Sequence, residues 1–157
     1  PYAFAAVGMI LWSRRSDRKQ ERYKHGACAA LMAAIAIAIA LIINQPWAII
    51  VGFIFLAIGV FSAINIFWTL PGQTLTGVGA AAGIGLINSV GNLSGFTGPY
   101  LTGYLYTTTG NYTIAFLVIA SFVAIGGLGL LLLGKLKSNA LKAEQHQVKT
   151  HAVTEFR

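Results

Sequence analysis

Two asparagines in a long uncharged stretch are the residues whose chemistry most needs an explanation. Asn88 and Asn92 lie four positions apart within residues 81–103, so a helix would place them on one face. An amide offers hydrogen-bond donors and an acceptor without a permanent charge, which suits contact with hydroxyl and carboxylate oxygens. An Asn amide can also simply bond to a neighbouring helix, for about 0.6 to 2 kcal/mol. With Ser62 and Asn65 on the preceding apolar run, a path for a polar solute and a structural role both remain open.

Side chains for other chemistry are scarce. Between His25 and Lys135 there is no Asp, Glu, Lys or Arg. The apolar runs therefore contain no Ser/His or Cys/His pair, no paired carboxylates and no set of metal ligands, and an enzyme is not predicted. We expect Cys28 to pack as a small hydrophobic residue. His146 and His151 fall in a polar tail, where we assign them no metal or catalytic role.

The composition sets the class of protein. Hydrophobic residues make up 56% of the chain and charged residues only 10%, against roughly 25% in a soluble domain. A soluble core of this size would need a charged surface, and the 109 positions of residues 26–134 supply none. We therefore predict an all-α integral membrane protein.

Four apolar runs are long enough to cross a bilayer as helices. They are residues 26–43, 47–68, 78–104 and 112–133. Residues 1–13 are apolar too, but at about 1.5 Å per residue they reach about 20 Å, short of the roughly 30 Å hydrocarbon core. We interpret them as the end of a truncated helix and the sequence as a fragment of a longer protein.

Two basic segments flank these runs. Residues 14–25 form a predicted loop with six basic side chains, and residues 134–157 form a predicted tail with five. Four crossings place both segments on the same side, and the enrichment of basic residues predicts that this side is the cytoplasm. Contact with anionic lipid headgroups would be worth roughly 1 kcal/mol per charge. Membrane lipids are thus predicted partners, and nucleic acid is not.

Small residues recur along the run at residues 78–104. Gly79 and Gly83, then Gly91 and Gly95, are each four apart, a spacing that allows helices to approach closely in lipid. Pro99 has no N–H to donate, so we expect it to interrupt the helical hydrogen bonds and to permit a bend during gating. The alternative to a protein with a solute path is a non-transporting membrane subunit or assembly factor whose glycine-rich helix faces dock a partner.

Three stretches together resemble the major facilitator superfamily of transporters. Residues 12–25, WSRRSDRKQERYKH, are similar to the loop between its eighth and ninth helices, and residues 67–71, FWTLP, to the end of its tenth. Residues 80–103 resemble its eleventh, with G-I-x-L-I-N-S-x-G-N-L-x-G-F-x-G-P-Y. The likeness is greatest to the anion:cation symporter branch, permeases for acids such as tartrate, phthalate, glucarate or galactonate. It implies the C-terminal part of a twelve-helix transporter: the end of the eighth helix plus helices nine to twelve.

The resemblance also implies roles for particular residues. Asn88, Trp68 and Asn65 correspond to polar contacts in the family's substrate cavity, with Asn92 and Ser89 as weaker candidates. The basic loop resembles the cytoplasmic gating motif, which assigns Asp17, Arg18 and Arg22 to closing the inner side. Ser13 and Gln20 stand where the general motif has glycines, a departure that makes a tight turn there less assured.

The implied activity is proton-coupled symport of a small organic anion by alternating access in a bacterial inner membrane. A carboxylate needs a positive partner in a low-dielectric path, and the apolar runs offer none. We therefore expect the anion-binding arginines and the proton-coupling acid in a missing N-terminal half, and we expect the fragment alone to be inactive.

Overall fold

The computed structural model describes residues 2–74 and 76–155, and over those residues it is helical without a strand. This confirms the predicted all-α class. The helices, in chain order, are α1 (Tyr2–Lys19), α2 (Arg22–Ile43), α3 (Pro46–Thr69), α4 (Pro71–Thr74), α5 (Gly77–Thr109) and α6 (Tyr112–Glu155).

Three segments of the described chain are long and apolar enough to cross a membrane. They are Arg22–Ile43, Pro46–Gln73 and Tyr112–Gln147. Helix α5 is not among them, because its glycines and asparagines lower its mean hydropathy. Its 33 residues would reach about 50 Å. It is therefore long enough for the crossing that its uncharged sequence predicts.

Helix α2 lies at the centre of the bundle because its face is built of small residues. Gly52 of α3 lies against Ala36 and Ala40, and Gly59 lies against Ala29 and Ala33. A Cβ at Gly59 would collide with the carbonyl oxygen of Ala29. The pairing runs in opposite chain directions, so α2 and α3 are antiparallel and in close backbone contact, as small residues permit in lipid.

The other helices extend this pair to both sides. Helix α6 packs on α2, where a Cβ at Gly127 would lie 3.3 Å from the carbonyl oxygen of Ala27, and where Ala34, Ile37 and Ala120 form a buried cluster. Helix α1 packs mainly on the far side of α3. The resulting spatial order is α1, α3, α2, α6 and α5.

Helix α5 is the least packed of the long helices. Among the described residues it contacts α6 and the short α4, and none of its own residues is buried. A Cβ at Gly79, Gly91 or Gly95 would meet nothing within 4 Å. The predicted packing of these glycines is therefore not found within this part of the chain. A glycine helps packing only where a second helix approaches, as it does at Gly52, Gly59 and Gly127.

The two basic segments are more helical than predicted. Helix α1 continues to Lys19 and α2 begins at Arg22, so the turn between them is only Gln20 and Glu21. Helix α6 continues to Glu155, far beyond the predicted end of its apolar run. The change at Lys135 is one of polarity, and Ala, Leu, Lys, Glu and Gln are all good helix formers. Phe156 and Arg157 lie outside the described residues.

Candidate functional site

The amides of α5 lie on an open helix surface. Asn88 and Asn92 share one face, Ser89 lies beside them, and all three are exposed. The same helix contributes Ile87 to its contact side, where an apolar cleft of about 500 Å³ is also lined by Phe67 of α3 and Leu130 of α6. The polar face and the packed face of α5 are thus different faces.

The candidate residues of α3 are placed elsewhere. The Asn65 Nδ2 donates a hydrogen bond of 2.9 Å to Ser13 Oγ on α1, so its amide joins two helices. Trp68 is 42% exposed, and its ring meets Phe67 edge to face at 5.7 Å between centroids. Among the described residues, no Cα of α3 lies within 8 Å of a Cα of α5, although Phe67 and Ile87 line the same cleft. The structure therefore brings Asn88, Ser89 and Asn92 together but leaves Asn65 and Trp68 apart from them.

Helix α5 runs through Pro99 without a break. The predicted interruption of the hydrogen bonds therefore does not end the helix. Hydroxyls on both sides bond back to the main chain: Thr97 Oγ1 donates to the carbonyl of Leu93 at 3.0 Å, and Thr102 Oγ1 to that of Gly98 at 2.8 Å. Such back-bonding competes with the backbone ladder and often bends helices. Pro99 is exposed, and its role in a gating bend stays a prediction.

Two of the three charged gating candidates form an ion pair. Arg22 Nη2 lies 3.2 Å from Asp17 Oδ1, which joins the last turn of α1 to the first turn of α2. The Arg22 side chain is 24% exposed and that of Asp17 is 59% exposed. Arg18 lies exposed in the same turn of α1, beside a separate cleft of about 670 Å³.

The turn itself depends on an uncommon backbone conformation. Gln20 has a φ of 53°, in the left-handed region that favours glycine, at a position where the family motif implies a glycine. Its Nε2 donates to the carbonyl of Asp17 at 2.8 Å. The tight turn is therefore made without the glycine, with help from the side chain of Gln20.

Sequence reasoning missed two further contacts at this end of the bundle. Lys24 Nζ lies 2.6 Å from Glu21 Oε1, and this hydrogen bond, followed by the charge of the same lysine, lowers the pKa of Glu21 below its ordinary value. The Trp12 indole donates to the carbonyl of His25 at 3.0 Å. The spacing of Glu21 and Lys24 was a usable signal for the first contact. The second contact links residues on separate helices and left no local signal.

Comparison with known proteins gives a consistent set of relatives. The chain is 36% identical, over 93% of its length, to a protein of Agrobacterium vitis named as a tartrate transporter, of which it covers 33%. It is 41% identical to a quinolone resistance transporter of Acinetobacter baumannii, over 82% of this chain and 29% of that protein. The inner membrane transport protein RhmT of Escherichia coli K12 is 34% identical, over 82% of this chain and 30% of that protein. No family profile matches, and no solved structure gives a significant match.

These relatives are all named as transporters or transport proteins, one of them of the inner membrane, and none of the three names is that of an enzyme. With its apolar helices, the chain is part of a multi-pass membrane protein. It belongs to the major facilitator superfamily, as residues 80–103 indicated. The chain spans about a third of the length of the curated relatives it matches.

Proposed function

We propose that the whole protein carries a small organic anion, a carboxylate or a sugar acid, across a bacterial inner membrane. The observation that carries this proposal is the open polar face of α5, where Asn88 and Asn92 are exposed on a helix without a charged residue. An unpaired amide is costly in lipid, so this face belongs against protein or a water-filled path. A relative named for tartrate supports the class of substrate.

In this proposal the residues of the chain bind and orient the anion rather than neutralise it. Asn88 and Asn92 offer amide N–H groups to carboxylate oxygens and amide oxygens to hydroxyl groups. Ser89 lies beside these amides, whereas Trp68 and Asn65 lie apart from them in the described chain, so in the proposal they contact the anion from another part of the cavity, Trp68 as an apolar wall. The positive partner for the anion and the acid that exchanges the coupling proton lie outside residues 26–134, which contain no charge. For that reason we propose that this chain does not transport alone.

The gating proposal rests on the ion pair at the α1–α2 turn. Asp17 and Arg22 hold two helix ends together at the end of the bundle where the basic residues collect. In an alternating-access cycle such a pair stabilises one of the two states, and Arg18, exposed beside it, is available to the other portion of the transporter. We propose that this end faces the cytoplasm, since short basic segments stay on that side.

The test is uptake of labelled tartrate by the full-length protein in proteoliposomes. Asn88→Ala is expected to lower uptake at least tenfold, because a hydrogen bond to a charged group is worth about 1.5 to 3 kcal/mol. Trp68→Ala is expected to lower uptake by removing the apolar wall. Asn139→Ala is the matched control, since Asn139 lies exposed on the basic part of α6, and it is expected to keep full uptake.

Normal uptake by both variants would reject the site. Failure of the intact protein to carry any carboxylate or sugar acid would reject the transport proposal and favour a non-transporting subunit that docks a partner through α5.

A further inference from the structure

A groove between the start of α2 and the middle of α6 is not used by the proposed transport path. Its volume is about 850 Å³. One part of its wall is apolar and the other is polar and basic. The apolar part is made by Leu128, Leu131 and Leu132, and the polar part by Gln20, Glu21, Lys24, Lys135 and Ser138.

Close helix packing gives this groove a firm floor. A Cβ at Gly134 would lie 2.7 Å from the Tyr23 Cβ, and one at Gly127 would lie 3.2 Å from the Ala30 Cβ. Helices α2 and α6 therefore touch almost backbone to backbone, and the longer leucines stand beside this contact. The groove is a consequence of small residues placed next to large ones on α6.

The charges near the groove are mainly positive. A smaller cleft of about 390 Å³ shares Tyr23 and Gly134 with it and is lined by Arg22, Lys137 and Lys142. The Lys137 ammonium lies 5.6 Å from the centre of the Tyr23 ring. Together the two cavities are lined by five basic residues and one acidic residue, Glu21, so the mouth is suited to an anion.

The boundary between the apolar and basic parts falls where the chain passes from hydrocarbon to water. No charge occurs from residue 26 to residue 134, and Lys135 is the first charge after that run. The leucines of the groove precede this point and the lysines flank it. A molecule that fills the whole groove must therefore have an apolar chain joined to an anionic headgroup.

We propose that this groove binds an anionic phospholipid. The phosphate lies between Lys24 and Lys135, and an acyl chain follows Leu128, Leu131 and Leu132. Basic pockets between membrane helices bind anionic headgroups by the same chemistry. Glu21 limits the affinity, because its carboxylate already holds the Lys24 ammonium at 2.6 Å. A soluble phosphate would satisfy the lysines and leave the leucines without a partner.

The experiment measures lipid binding by native mass spectrometry of the full-length protein in detergent, titrated with phosphatidylglycerol and with phosphatidylcholine of the same acyl chains. We expect at least tenfold tighter binding of phosphatidylglycerol. Lys24→Gln/Lys135→Gln should weaken that binding by about thirtyfold, as expected for two lysines near a lipid phosphate. The control Arg15→Gln/Lys149→Gln removes the same charge at exposed positions outside the groove and should change binding less than threefold.

Two more variants separate the parts of the groove. Leu128→Trp fills the apolar wall without changing charge and should weaken binding, whereas Glu21→Gln frees Lys24 and should strengthen it. Circular dichroism of each variant checks that the helices are intact.

Three results would overturn the proposal. They are equal binding of the two lipids, equal losses in the two double variants, or displacement of the lipid by glycerol 3-phosphate at matched concentration. None of these readouts depends on transport, so the lipid site can fail while the transport proposal stands.

Discussion

At the scale of residues, the turn between α1 and α2 concentrates most of the charge chemistry of the described chain. Asp17 pairs with Arg22, Glu21 pairs with Lys24, and Gln20 holds a left-handed backbone between them. Both pairs are exposed to solvent at least in part, and such pairs contribute little to stability. Their value is to fix the geometry of a two-residue turn rather than to hold the bundle together.

The pKa of Glu21 gives a direct test of this turn. Because the Lys24 hydrogen bond lowers the pKa of Glu21 below its ordinary value, the contribution of the pair is fully present above the ordinary pKa and is lost as pH falls through the lowered pKa. Lys24→Gln should move the pKa of Glu21 back up, as measured by a carboxyl-detected NMR titration. Lys149→Gln is the control and should leave it unchanged.

The bond between Asn65 and Ser13 sets a structural role against the predicted role in substrate binding. Ser13→Ala and Asn65→Ala should each lower the free energy of unfolding, and a double-mutant cycle should give a coupling of about 0.6 kcal/mol, typical of such bonds in membranes. Thermal unfolding of the single and double variants in detergent measures it. Additive losses would show that the two side chains do not interact.

At the scale of elements, backbone proximity rather than large side chains joins α2 to its neighbours. Gly59 packs against Ala29 and Ala33 of α2, and Gly127 packs against Ala27 and Ala30. The length of the apolar run at residues 26–43 predicted a membrane helix, and this face explains its alanines. The glycines that the sequence emphasised, Gly91 and Gly95 on α5, face open space instead.

One glycine substitution on α3 and one on α5 distinguish a glycine in close helix contact from a glycine on an open surface. Gly59→Leu should destabilise the purified chain by about 3 kcal/mol, the upper part of the range for overpacking, because its first carbon already collides with Ala29. Gly95→Leu should change stability by less than about 0.5 kcal/mol, as at an open surface. Denaturant unfolding followed by circular dichroism measures both. Equal losses would contradict the packing order described for this chain.

At the scale of the whole molecule, the packing leaves α5 at one edge, attached through α6. Its polar face and its open glycines point away from the rest of the described chain. Since the chain spans about a third of its relatives, we propose that this face lies against the remaining portion of the transporter.

Transport should therefore require the full-length protein. In proteoliposomes the chain alone should show no uptake above empty vesicles. The full-length protein should accumulate tartrate when the outside solution is made more acidic than the lumen, so that protons flow inward. A protonophore should abolish that accumulation. Accumulation unaffected by the protonophore would reject proton coupling, and uptake by the chain alone would reject the proposed dependence on the missing portion.

The sequence by itself determined the class, the four apolar runs and their turns. Asn44 and Gly110 end helices in left-handed conformations in the gaps between the predicted runs, because these preferences are local. Hydropathy did not determine where α6 ends, since a helix can continue from lipid into water. Only the tertiary structure decided that Asn65 bonds to Ser13, that Asp17 pairs with Arg22, and that α5 leaves Asn88 open. Transfer into lipid and turn formation are set by neighbours in the chain, whereas these partners are set by which helices meet.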